Sequence, residues 1–286
     1  SPGARHRMGL LAAMVVAAPV GVGLAYSSLA AVGLAGPGAG AAGPPAARLT
    51  GVLGDPSVWA GTLWTIWIAA ASTVLATLGG AAVAVVFRGD GLLDRAGRTV
   101  AFLPLAIPHL AAAVGMLLIL GQSGLLARIA FRLGWIGGPG EMPALVMDGT
   151  GIGLIVALTW KELPFMALVA SSVLGTRGAA LEETARGLGA GRWDTVRRVT
   201  WPILWRGMLP AAVAVFTFVA GSYEAAALLA PSNPLALPLL TWERYADASL
   251  ARRGDAHVLA FVGMALAALA VAVHEWMAAR GRGEGR

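Results

Sequence analysis

The chain has 286 residues, of which 57% are apolar and 13% charged, with a mean hydropathy of +0.73. A soluble domain of this length carries roughly 25% charged residues, so the composition excludes an ordinary globular protein and points to a chain that crosses a membrane several times. The net charge is +6, but the basic residues fall between the hydrophobic runs with no aromatics interleaved, which argues against a nucleic-acid partner. There is no cysteine, which removes disulfides, thiolate metal sites and cysteine nucleophiles.

Six runs reach the roughly 20 apolar residues that a bilayer span needs; they lie at about 8–34, 58–87, 99–121, 150–174, 207–230 and 255–278. All are predicted to be helices, because a lone strand leaves its backbone unsatisfied in lipid. The first run follows Arg5 and Arg7 and is too long for a signal-peptide core, so it reads as a retained span. A stretch rich in Pro, Gly and Ala, "GPGAGAAGPPAARLTGVLGDPS", leads to the second. That second run contains "IAAASTVLATLGGAAVA", whose small residues let membrane helices approach closely. Residues 122–149, after the third run, show helical apolar spacing around Arg128 and Arg132, and are expected to lie along the membrane surface or to re-enter it. "APSNPLALPLLTWERYADASLARRGD" joins the fifth run to the sixth. With the N-terminus inside, fourteen basic residues lie on the cytoplasmic side and six on the outer side: Arg48, Arg128, Arg132, Arg244, Arg252 and Arg253. Lys161 is within a span. The positive-inside rule then places both termini, Arg286 included, and the loop at 175–206 in the cytoplasm. The whole chain, 1–286, reads as one transmembrane domain.

That loop contains "LEETARGLGAGRWDTVRRVTWPIL", residues 181–204. Ala and Leu favour helix, Glu182 and Glu183 stand four and three residues before Arg186, and Gly189 suits a left-handed end. The next segment puts Trp193 and Val196 on one face and Arg197 and Arg198 on another. Pro202 disfavours helical geometry at Trp201, which predicts a bend before the fifth span. The loop reads as a helix–turn–helix at the cytoplasmic surface. A solvated linker is the plain alternative, and it leaves the three glycines and the tryptophan unexplained.

Glu183-Thr184-Ala185, three residues, Gly189, nine residues, then Val199-Thr200-Trp201-Pro202 resembles the "EAA" loop of permease subunits of bacterial ATP-binding-cassette importers. The family pattern has Ala where this chain has Thr184, Ile where it has Val199 and Leu where it has Trp201; Glu183, Ala185, Gly189 and Pro202 match in register. Six spans with this loop between the fourth and fifth is that family's type I layout. The resemblance implies an all-α permease bundle in the bacterial inner membrane. It also implies a coupling helix, before Gly189, that docks into a groove on a cytoplasmic ATPase. An apolar edge of Leu181, Ala185 and Leu188 with carboxylates beside it suits such docking. The second helix, through Trp193, would carry movement into the fifth span. The implied partners are two ATPase subunits that bind ATP and magnesium, a second permease of the same or another kind, and an external solute-binding protein. This chain is expected to hold no cofactor and no catalytic site: it has no G-x-x-x-x-G-K-[ST] phosphate loop, no nucleophile–base set and no metal-ligand spacing.

Ionisable residues inside spans are the pathway candidates. They are His109, inside the third run and close after Pro104 and Pro108, Lys161 and Glu162 before Pro164, and Glu224 beside Ser222 and Tyr223. Each is equally suited to a buried ion pair or to a backbone group freed by a nearby proline, and His109 to packing. Adjacent helical positions diverge by about 100°, so Lys161 and Glu162 are expected on different surfaces. "WKELPF" and "GSYEAAALLAPSNPLALPLLTWERYAD", which contains Glu224, resemble the branch serving polyamines, thiamine, ferric iron, sulfate and phosphonates, and the two glutamates lean slightly toward a cation. An ion-coupled secondary transporter using Glu224 and Lys161 as relay groups is the alternative from another class.

Overall fold

The computed structural model describes residues 2–36, 39 and 45–283, and every regular element among them is helical. The α-helices are α1 (Pro2–Ala31), α2 (Pro45–Leu53), α3 (Pro56–Val86), α4 (Leu92–Phe102), α5 (His109–Leu120), α6 (Leu125–Arg132) and α7 (Ile152–Val173). They continue as α8 (Ala179–Gly187), α9 (Arg192–Thr195), α10 (Trp201–Ala220), α11 (Tyr223–Leu229), α12 (Leu237–Ala246) and α13 (Leu250–Gly283). Arg286, counted in the topology, and residues 37, 38 and 40–44 of the Gly/Pro-rich stretch lie outside the described residues.

Among the described residues, six segments are long and apolar enough to cross a membrane: Ala13–Ala31, Pro56–Val86, His109–Arg132, Ile152–Thr176, Arg192–Ala220 and Leu250–Ala279. Four agree closely with the expected runs, and two do not. The third expected run, 99–121, is not one helix. A 3-10 turn at Leu103–Ala106 and an extended Ile107 separate α4 from α5, because Pro104 and Pro108 lack the N–H groups that would carry the helix through. The fifth, 207–230, stops at Gly221 and resumes as the short α11. The expected bend at Trp201 is absent as well. Trp201 is αR, and its N–H bonds Val196 O, five residues back, in a π turn over Val196–Thr200. The widened turn carries the chain past Pro202, which sits in the first turn of α10 and needs no donor there.

The chain forms two compact units. One comprises Ser1–Ala60 and Leu237–Met264. It contains α2, which starts at Pro45 within the Pro/Gly/Ala-rich stretch, and α12. Arg48, nearly fully buried, donates to Ala30 O at the end of α1 (2.8 Å) and lies 3.6 Å from Asp255 of α13, while Arg244 of α12 pairs with Asp55 at 3.0 Å. A cation at a helix C-terminus also meets the negative end of the α1 dipole.

The other unit comprises Gly61–Ala236 and Ala265–Arg286, and α7 is its most buried span. A Cβ at Gly80 of α3 would stand 2.7 Å from backbone and side-chain atoms of Met166 and Ala167. Only glycine admits that approach of α3 to α7. α7 also packs against α10, α5 and α11. Apolar side chains left exposed, such as Leu63, Leu118 and Phe218, are what a lipid-facing or subunit-facing surface requires.

Candidate functional site

Two places bring the singled-out residues together. The first is the charged loop after the fourth span. A π turn at Leu174–Gly178 leads from α7 into α8. α8 ends at Gly187 and is closed by Gly189, the expected left-handed residue, with a φ of +88°. Ala190 N–H bonds Ala185 O at 3.0 Å and Gly189 N–H bonds Arg186 O at 3.0 Å, the paired cap that a left-handed glycine permits. Leu181, Leu188 and Trp193 are exposed, the last two strongly, at 85% and 75%. Glu183 and Thr184 are exposed too, and Ala185 is half-buried. A shallow cavity of about 370 Å³ lies beside the turn, lined by Ala185, Leu188, Asp194 and Val199 among others. The loop therefore presents an apolar ridge to whatever covers it.

Glu182 departs from its expected place beside that ridge. It is 3% exposed and faces inward. Arg88, just after α3, donates from Nη1 to Oε2 at 2.5 Å and from Nη2 to Oε1 at 3.2 Å. Thr200 Oγ1 donates to Oε1 at 2.6 Å, and Arg186 Nη2 reaches Oε2 at 3.4 Å. Burial alone would push the Glu182 carboxyl up. The hydrogen bonds from Arg88 and Thr200, with the charges of Arg88 and Arg186, outweigh it and hold the group below its ordinary value. Sequence reasoning missed Arg88 and Thr200. The available signal was the doubled glutamate, since the loop pattern uses Glu183 and leaves Glu182 without an assignment.

The second place lies along α7. Lys161 and Glu162 are both nearly buried. Lys161 Nζ donates to Pro104 O at 2.7 Å. That carbonyl is free to accept because its helical partner four residues on would be Pro108, which has no N–H; Ile107 N–H takes its other side at 3.2 Å. Glu162 Oε1 stands 3.4 Å from His109 Nε2, at the first residue of α5, and the His109 ring meets Phe218 edge-on at 5.1 Å. The two side chains end on different partners, Lys161 on the broken segment between α4 and α5 and Glu162 on the first residue of α5. Backbone freed by a proline and a buried acid–histidine contact account for Lys161, Glu162 and His109. Ser222, half-buried, stands at the N-cap position of α11 without a side-chain capping bond, and Tyr223 and Glu224 occupy the first turn and are exposed. Glu224 is thus at a helix start after a break, where the dipole favours an anion, and not within a continuous span.

Comparison with known proteins gives the arrangement a context. The family described as "Binding-protein-dependent transport system inner membrane component" matches residues 76–281. The molybdenum transport system permease protein ModB of Mycobacterium tuberculosis is 29% identical over 187 residues, 65% of this chain and 67% of its own. A probable sulfate transport system permease protein, cysT of Chlorokybus atmophyticus, is 30% identical over 122 residues, 42% of this chain and 43% of its own. A bacterial alginate ABC transporter, solved with an alginate pentasaccharide-bound periplasmic protein, superposes with a TM-score of 0.70. It covers 96% of this chain and 95% of its own at 17% identity, a likeness of fold.

Proposed function

We propose, from the premise that this chain belongs to the binding-protein-dependent transport system inner membrane components, that it couples an oxyanion pathway to a separate ATPase through the ridge at Leu188 and Trp193. The chain is a multi-pass permease subunit of an ABC importer; the solute class, the docking face, the partners and the orientation are our reading.

The exposed ridge carries the docking assignment. Leu188 and Trp193 lie on either side of a left-handed glycine turn, on a loop that turns Glu182, Thr195 and Thr200 inward, so the apolar side chains remain available to a groove. ATP and magnesium bind on the ATPase chain in this reading, and a second permease subunit and an external binding protein complete the assembly. Both termini and the loop are cytoplasmic, following the basic residues. The solute class follows the relatives' names: sulfate, and the molybdate that molybdenum forms in neutral water, are both tetrahedral oxyanions. The lean toward a cation is not carried forward, because Glu162 is engaged by His109 and Glu224 sits at an exposed helix start. The same geometry gives the ion-coupled alternative no relay, since Lys161 is tied to the Pro104 carbonyl.

The test is purification in mild detergent of the wild type and of Leu188→Asp/Trp193→Asp. An ATPase chain carrying a phosphate-loop motif is expected with the wild type and is expected to be lost, by about tenfold or more, with the double variant. Recovery of the ATPase at wild-type yield with the double variant would remove the ridge from the docking role.

A further inference from the structure

Among the residues of α8 whose burial is described, Glu182 is the one that is buried, while Leu181 and Leu188, its large apolar neighbours, face outward. A surface helix ordinarily fastens to its protein through an apolar stripe. This one is fastened by a carboxylate. The carboxylate is shared between three places in the chain: α8 itself, the inner end of α3 through Arg88, and the junction into α10 through Thr200. Thr200 is 1% exposed, so the junction is closed to water on that side.

The covalent connections of α8 are soft by comparison. It enters from a π turn at Leu174–Gly178 and leaves by the left-handed turn at Gly189. A push on α8 could be absorbed by rotation at either joint. Apolar contacts can slide, whereas a buried charge held by directed hydrogen bonds fixes both distance and direction. Both carboxylate oxygens are engaged, Oε1 by Thr200 and Arg88, Oε2 by Arg88 and Arg186.

We propose that Glu182 is a positioning residue for transport: it locks α8 to α3 and α10, so that displacement of α8 by the ATPase moves both spans together instead of bending the loop. The proposal rests on the coupling reading given above. It separates the two adjacent glutamates by task, with exposed Glu183 facing the partner and buried Glu182 facing its own chain.

The experiment uses the complete importer, this chain with its ATPase and binding protein, in proteoliposomes, and compares wild type, Glu182→Gln, Thr200→Val and the exchange Arg88→Glu/Glu182→Arg. The readout is solute transported per ATP hydrolysed, which a general loss of folded protein does not change. Glu182→Gln is expected to retain the ATPase on purification and to hydrolyse ATP, while the ratio falls about tenfold. Thr200→Val, which keeps the Arg88 pair and the charge, is expected to lower the ratio less, and the exchange variant to recover part of it. An unchanged ratio in both Glu182→Gln and Thr200→Val overturns the proposal. So does release of the ATPase by Glu182→Gln, which would put the residue in the docking face. If Glu182→Gln does not fold, Thr200→Val decides alone. Failure of the wild type to bind any ATPase would instead overturn the coupling reading itself.

Discussion

Gly189 and Glu182 act at the same turn by different physics. A methyl group on Gly189 would meet nothing within 4 Å, so the cost of Gly189→Ala comes from φ alone. Left-handed geometry costs a residue with a Cβ about 1–2 kcal/mol. Hydrogen–deuterium exchange is expected to quicken at the amides of Leu188, Gly189 and Ala190, which make the cap, with the rest of α8 little changed. Unchanged exchange there would mean that the turn is not the strained point. Glu182 contributes through its charge. Its carboxyl lies below the ordinary value in the folded chain, so its stabilisation is fully present above the unfolded value of about 4.3 and is lost as pH falls through the folded one. The gap in Tm between wild type and Glu182→Gln in detergent is therefore expected to stay constant from about pH 8 to 5 and to narrow below about 4.3. A gap that is flat to pH 3 would show that the charge is not what holds the residue.

The elements show where the sequence was legible. The second and fourth spans were placed within two residues of α3 and α7, because long apolar runs bounded by polar residues leave few choices. The Gly189 turn was legible because a left-handed residue after an amphipathic helix is a local event. The breaks at Pro104–Pro108 and Gly221 were not, since their run of hydropathy continues through them while the hydrogen bonding does not. The bend assigned to Pro202 failed for the opposite reason: a π turn five residues long absorbed it. Glu182 was read as exposed because its partner Arg88 is 94 residues away in sequence. The break beside α5 has its own test. Pro108→Ala supplies an N–H that competes with Lys161 for Pro104 O. A buried donor deprived of its acceptor costs about 1–3 kcal/mol, and more when it is charged, so a lower Tm is expected, and Lys161→Met is expected to recover it in the Pro108→Ala background. A Tm equal to wild type for Pro108→Ala would mean that the added N–H does not displace Lys161 from the carbonyl.

At the scale of the molecule, orientation in the membrane is open to direct measurement, because the chain has no cysteine of its own. Asp90→Cys, exposed in the connection between α3 and α4 and outside the docking ridge, is expected to resist a membrane-impermeant maleimide in intact cells and to react after permeabilisation. Gly138→Cys, in the loop between α6 and α7, is expected to react in both; the reverse pattern would invert the topology. The placement of Lys161 and Glu162 also bears on how the protein is made. A charged side chain at mid-bilayer raises the cost of inserting a helix by about 3 kcal/mol, and the fourth span carries two in succession. Their anchors, Pro104 and His109, lie 57 and 53 residues earlier in the chain. During synthesis the ribosome therefore delivers the receiving carbonyl and imidazole to the bilayer before the ammonium and the carboxylate arrive. Chain order thus makes both partners before the two side chains that need them.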